Sequence, residues 1–304
     1  MTPITEVEGQ RLTLSNLDKV LYPATGTTKG ELLHHYARTA APLLAHLAGR
    51  PVSFLRYPDG AEGEAFFTKN PPPGTPDWVS VVDVPRSARR GGDRGRQVVV
   101  DGLAALMWAA NLVVEFHTPQ WPAGSPAVAD RLVFDLDPGE PATVVDCAGV
   151  ALWLRERLAA DGLDGYAKTS GAKGLHLLVA VAPTPSAEVS AYAKRLAREA
   201  EAALPELVVH RMRRDLRPGK VFVDHSQNSA AKTTATPYTV RARPEPTVSA
   251  PVTWDEVAAC AAGRDPLRFL ASDMPGRLDA YGDLMAPLFE GGGRVPPGQG
   301  TPPG

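Results

Sequence analysis

Asp135 and Asp137 stand two residues apart inside the apolar run RLVFDLDPG. On an extended strand, positions i and i+2 share a face, so the two carboxylates stand side by side while Phe134 and Leu136 point the other way. Carboxylates that close raise each other's pKa unless a cation lies between them. A plainer reading is also open, because Asp-Pro-Gly is turn chemistry and Asp137 alone would serve it. A third carboxylate, Asp224, ends the apolar run KVFVD. Three carboxylates at strand ends suit hard divalent cations, which take oxygen ligands. Two such cations stabilise both the attacking and the leaving oxygen of a phosphoryl displacement.

Between these aspartates lies SGAKGLH, Ser170 to His176. Gly171 and Gly174 let a backbone approach closely, while Ser170 offers a hydroxyl, Lys173 a cation and His176 a ring donor. The spacing is not that of a Walker loop, and alone the motif fits any tight turn. The net charge of −2 argues against simple polyanion binding. Its distribution says more: residues 85–97 carry five arginines against one aspartate, and residues 210–220 carry four arginines and a lysine against one aspartate. Local patches of this kind make an electrostatic footprint for phosphates, although solvated loops read the same way.

The elements that must position these groups follow from periodicity. A helix is expected from about Lys29 to Leu47, strands over 50–60 and near Phe66, and a helix through Asn111 leading into a strand that ends near His117. From Asp130 the pattern runs strand, helix, two strands around the glycine-rich turn, helix, strand. The expected organisation is one domain over 1–290, with a module at about 10–129 and a second at 130–290, followed by a disordered Gly/Pro tail at 291–304. Composition is that of a soluble globular chain with 43% hydrophobic and 22% charged residues. No membrane span or apolar signal core is visible, and Cys147 and Cys260 show no metal-ligand spacing, so a cytoplasmic location is expected.

DLDP, then SGAKGLH, then VFVDHSQN, in that order, resemble the archaeo-eukaryotic primase superfamily, and specifically the polymerase domain of the bacterial ligase D family. LSNLDKVLYP, RPVSFLRYPDG, FFTK, LAALMWAANLVVEFH, AKTTATPYTVRARP and VTWDEV extend the likeness over roughly residues 10–290. The resemblance implies a mixed α/β (α+β) fold, with a primase-type core on an RRM-like sheet packed on an N-terminal α/β module. It implies a template-directed nucleotidyltransferase that fills gaps or extends broken DNA ends and prefers ribonucleotides. Asp135, Asp137 and Asp224 would hold two catalytic metals, manganese or magnesium. Ser170, Lys173, Gly174 and His176 would meet the triphosphate of an incoming NTP or dNTP, with Arg241 adding a cation. Gln227 and Asn228 would line the nucleotide site, beside His117 of an ExH element. Lys19 and Lys29 would grip a downstream 5′-phosphate. Phe66 and Phe67 would stack on template bases, and Arg56, Arg89, Arg90 and Lys220 would contact DNA. Phe66 and Phe67 could equally face a core, and Lys19 could be a solvated surface lysine.

The family repairs broken ends with bacterial Ku, so Ku and a separate ligase are candidate partners of a monomer on DNA. Two departures stand out: His225 replaces the more usual aromatic after the third aspartate, and the arginine loop is unusually rich in glycine. Neither a ligase motif nor a phosphoesterase domain is visible in these 304 residues. A metal-dependent nuclease and a non-catalytic end-binding module are the rival functions. A nuclease has no triphosphate for SGAKGLH and Arg241 to hold, and an end-binding module has no need of the aspartates.

Overall fold

A computed structural model describes residues 4–85 and 94–297, and they form a mixed α+β fold. The chain divides into two compact units: Met1–Pro119 with Thr233–Ala250 and Arg268–Asp283, and Gln120–Lys232 with Pro251–Leu267 and Leu284–Gly304. The boundary falls at Pro119/Gln120 rather than at 129/130, and two later segments return to the first unit. A boundary read along the sequence does not see such returns, because strand pairing such as Thr234 with Thr118 joins residues far apart in the chain.

In the second unit, five strands pair in the order Gly165–Thr169, Leu175–Pro185, Val128–Pro138, Val221–Asp224, Val208–Val209. All neighbours are antiparallel except the last pair. Helices Val144–Ala160 and Ser186–Ala203 complete a β-α-β-β-α-β pattern, to which Val208–Val209 adds a short edge strand. The first begins with a capping box, in which Thr143 accepts from Val145 N–H and Asp146 accepts from the Thr143 backbone at 2.7 Å. Both helices bury small apolar residues, among them Ala148, Ala151, Ala193 and Ala197, and so approach the sheet closely. Cys147, on the first helix, donates from Sγ to Leu136 O at 3.4 Å. On the opposite face of the sheet, Val133, Leu178 and Ala180 pack with Met285 and Leu288. Further along that same face the pleat places Asp135 and Asp137.

The first unit contains a four-stranded sheet ordered Thr234–Ala235, Val114–Thr118, Ser53–Arg56, Phe66–Thr68. Its core gathers Leu32, Tyr36, Leu43, Phe54, Leu106, Phe116 and Val240. The helix expected over 29–47 is broken into Lys29–Arg38 and Ala40–Leu47. Pro42 explains the break: it has no N–H for the Arg38 carbonyl four residues back, and its ring would collide with that carbonyl. At the junction, buried Thr39 donates its hydroxyl to His35 O at 2.9 Å.

The tail departs from expectation in its first half. Gly293 forms a bridge with Val181 and accepts from Ala182 N–H at 2.8 Å, and Pro297 O accepts from Arg195 at 3.3 Å. Arg89 and Arg90 lie outside the described residues. Among the described residues, no helix is long and apolar enough to cross a membrane.

Candidate active site

Strand register brings the charged groups of the second unit into one row. Asp135, on the central strand, is the direct partner of Asp224 on one side and of His176 on the other, and His176 in turn faces Lys168. Direct partners project from the same face, so Lys168, His176, Asp135 and Asp224 cross four strands in line. Gln227 donates from Nε2 to Asp224 Oδ2 at 3.1 Å and to Asp135 Oδ2 at 3.3 Å, tying the two carboxylates together. Asp224 is 7% exposed, and its Oδ1 accepts from Ser226 N–H at 2.9 Å, capping the short helix His225–Asn228. His176 Nε2 lies 3.2 Å from Asp135 Oδ1. Asp137 is exposed on the same face, two residues on.

Like charges directly opposite one another destabilise a sheet. The Gln227 amide and the His176 ring offset part of that repulsion, and a divalent cation would offset the rest. Among the described residues, no three His, Cys, Asp or Glu side chains close into a metal cage. The donor set nevertheless fits hard cations: it is all carboxylate oxygen, and it stays open on one side, as a site completed by water and phosphate oxygens requires. The negative field of the row is felt through the sheet. Burial pushes the Cys147 thiol far up, with Asp137, Asp146 and Asp135 adding to the effect.

The glycine-rich turn is built on this strand. Ser170 Oγ accepts from Ala172 N–H at 3.1 Å and from Gly174 N–H at 3.2 Å, and Gly171 sits at φ 68°. A Cβ on Gly174 would lie 1.9 Å from Leu136 O, so only glycine lets the turn lie against the aspartate strand. Lys173 extends into solvent, 71% exposed, against Glu140. Asn228, expected to line the nucleotide site, is instead 1% exposed. Its amide accepts from Val133 N–H at 2.8 Å and donates to Val133 O at 2.7 Å, standing in for a strand partner. Lys220, expected on DNA, donates to Pro205 O. His225 is partly buried, and that burial lowers its pKa.

The first unit carries a second constellation. Glu115 is 1% exposed, and its Oε2 meets His117 Nε2 and Arg241 Nε, each at 2.9 Å. Its Oε1 accepts from Ala242 N–H at 2.6 Å. Burial by itself would raise this carboxyl, but the hydrogen bond from His117 and the Arg241 charge outweigh it and bring the pKa to about 2. Just before this strand, Val113 sits at φ 58°, a region β-branched residues avoid. Phe67 meets the His117 ring edge-on at 5.9 Å. Phe66 and Phe67 are both about half exposed, at 48% and 50%, because their strand is the sheet edge. The core reading of this pair therefore does not hold. Arg56, the strand partner of Phe66, buries an Nε that has no hydrogen-bond partner.

Lys19 and Lys29 converge as well. Asn16, at φ 54°, turns the chain so that its carbonyl accepts from Lys19 N–H, and Lys19 O accepts from Lys29 N–H at 2.8 Å. Lys19 Nζ donates to Pro58 O at 2.8 Å and pairs with Asp59 at 3.0 Å. Lys29 is 5% exposed, and its pKa is lowered by burial and then by the Lys19 charge. Two ammonium groups close enough to perturb one another make a place for an anion.

Glu115 and Lys168 are the residues sequence reasoning missed. An ExH pattern marked the place of Glu115, whereas Lys168 showed no signal until register placed it opposite His176.

An open carboxylate row on a β-α-β-β-α-β sheet, beside a glycine-rich turn, is the arrangement expected of a primase-type nucleotidyltransferase. The family model for the LigD primase-polymerase domain matches residues 28–285, and the chain belongs to that family. It is 44% identical over 285 residues to the multifunctional non-homologous end joining protein LigD of Mycolicibacterium smegmatis, covering 92% of this chain and 36% of that protein. The bifunctional LigD of Bacillus subtilis is 30% identical over 250 residues, covering 81% and 39%. The chain thus spans little more than a third of these relatives. The polymerase domain of Mycobacterium tuberculosis ligase D, solved in complex with DNA, superposes with a TM-score of 0.86 at 42% identity, covering 92% of this chain and 98% of that one.

Proposed function

We propose that this chain extends a primer 3′-end across short gaps or broken DNA ends, using a template and preferring ribonucleotides. The observation that carries this reading is the facing pair Asp135 and Asp224, with Asp137 on the same face and His176 at their flank. The primer 3′-oxygen attacks the α-phosphorus. A new O–P bond forms, the α–β P–O bond breaks, pyrophosphate leaves with the electron pair, and the hydroxyl proton passes to solvent. Asp135, Asp137 and Asp224 would hold two divalent cations, manganese or magnesium, which when bound lower the pKa of the attacking hydroxyl and neutralise the triphosphate. His176 Nε2 and the exposed Lys173 serve as donors to phosphate oxygens. Arg241, oriented by Glu115, offers a cationic group to the same class of ligand, and His117 stands beside it on the same carboxylate.

In the first unit, Phe66 and Phe67 suit bases of any identity, since every base has a face to stack on. Lys19 and Lys29 recognise a terminal 5′-phosphate by charge without reading sequence. End joining with Ku and a separate ligase as partners, in the cytoplasm, is the physiological setting this reading favours. A nuclease has no use for the phosphate donors, and an end-binding module has no use for a facing carboxylate pair.

The test is extension of a primer across a short gap with a downstream 5′-phosphate and manganese, with NTPs and dNTPs compared. Loss of extension in Asp135→Ala supports the reading. Primer shortening by the wild type, or binding without extension, overturns it.

A further inference from the structure

Lys168 is 0% exposed, in the interior of the second unit, and its Nζ lies 2.9 Å from His176 Nδ1. The other ring nitrogen, Nε2, faces Asp135 Oδ1 at 3.2 Å. The contact follows from register, since Lys168 and His176 are direct partners on neighbouring strands. Nothing in the phosphate and metal chemistry described above requires a lysine here, and a buried ammonium is costly unless its surroundings compensate it. Here Asp135 and Asp224 stand one ring away in the same row.

We propose that Lys168 is a positioning residue that fixes His176 as its Nε2–H tautomer. An ammonium has three donors and no acceptor. A ring nitrogen that receives its hydrogen bond must therefore present a lone pair, which leaves the ring proton on the other nitrogen. His176 then presents an N–H, and not a lone pair, toward the carboxylate row. A ring held this way donates to an anionic oxygen, whether carboxylate or phosphate. It does not remove the proton from the primer hydroxyl. Resting on the polymerase reading above, the proposal assigns His176 to binding the triphosphate and excludes it as the general base.

The experiment is ¹⁵N NMR of histidine-labelled protein without metal or nucleotide, with the His176 signals assigned by their loss in His176→Gln. The wild type is expected to show a protonated Nε2 and an unprotonated Nδ1. Lys168→Met, similar in length and unable to donate, is expected to admit the Nδ1–H tautomer and to lower kcat/KM for NTP about tenfold, the usual scale for groups that orient a ligand. Lys168→Arg, also a pure donor, is expected to keep the wild-type signature. A wild-type ring protonated at Nδ1 overturns the proposal, as does Lys168→Met with an unchanged tautomer and unchanged kcat/KM. Should Lys168→Met fail to fold, scalar coupling across the Nζ–H to Nδ1 bond in the wild type decides: its presence supports the lock and its absence overturns it. The spectra are independent of turnover. A protein that shows the tautomer but extends no primer therefore fails only the polymerase reading.

Discussion

Asp135 and Asp224 stand directly opposite one another on neighbouring antiparallel strands, bridged by the Gln227 amide. A sheet that carries two facing carboxylates accepts repulsion in its resting form and is relieved by a cation. Asp224→Asn is therefore expected to leave the metal-free protein as stable as the wild type or more so. It should also abolish extension by at least about a hundredfold, as loss of an electrostatic group at a reacting centre does. Thermal denaturation with a chelator and then with manganese checks the first half: the wild-type Tm rises with metal by mass action, and the variant's does not. A wild-type Tm indifferent to manganese would remove the metal from this site.

The Lys19–Lys29 pair makes a similar exchange of stability for recognition. Lys29 carries its charge into a site where burial and Lys19 both oppose it. Replacing it by methionine keeps the length of the side chain and removes the conflict. Lys29→Met should raise Tm or leave it unchanged, and should erase the advantage of a 5′-phosphorylated gap over a 5′-hydroxyl gap. Extension on an open template–primer, where no such phosphate exists, should stay at the wild-type level. A variant that keeps its preference for the phosphorylated gap would assign the pair to stability alone.

What was legible beforehand was the part of the site that depends on spacing. The pleat alone places Asp135 and Asp137 on one face, and turn chemistry alone marks SGAKGLH. What was not legible depended on register. Lys168 is an ordinary strand lysine until its strand is paired so that it meets His176. Asn228 looks like a polar lining residue until its amide is seen to complete the edge of Val133. The helix break at Thr39 has its cause in Pro42, and the apolar periodicity that runs through both helices conceals it. Phe66 and Phe67 resisted assignment because alternation predicts one buried ring, and an edge strand without a covering layer buries neither.

Two half-exposed rings on an edge strand contribute little to the core. Phe66→Ala and Phe67→Ala should each leave Tm within a few degrees of the wild type. Each ring that stacks on a base is worth about 1–3 kcal/mol on alanine substitution, so affinity for a gapped duplex should fall roughly five- to a hundredfold for that variant. Fluorescence anisotropy with a labelled template strand reads the difference. An unchanged Kd in both variants would leave the rings without a role in template binding. The loss should be insensitive to template sequence, because stacking is.

Glu115 ties stability and function together through one titration. Its pKa lies at about 2 in the folded protein against 4.5 for an unperturbed glutamate. A depressed carboxylate contributes stability that is fully present above the unfolded value and is lost as pH falls through the folded one. The window here runs from about pH 5 down to about pH 2. A shift of this size corresponds to about 3 kcal/mol. Glu115→Gln keeps the shape but removes the charge that faces Arg241 and His117. The variant should be about 3 kcal/mol less stable than the wild type at neutral pH, and that gap should stay constant down to about pH 5. It should then close as the wild-type carboxylate is protonated. Denaturant titrations at several pH values measure the gap directly. The same variant weakens the hold on Arg241, so KM for NTP should rise more than kcat falls, because the guanidinium is misplaced rather than lost. A stability gap that stays level down to pH 2 would mean that Glu115 acts through packing, and the orienting role given to its charge would fail with it.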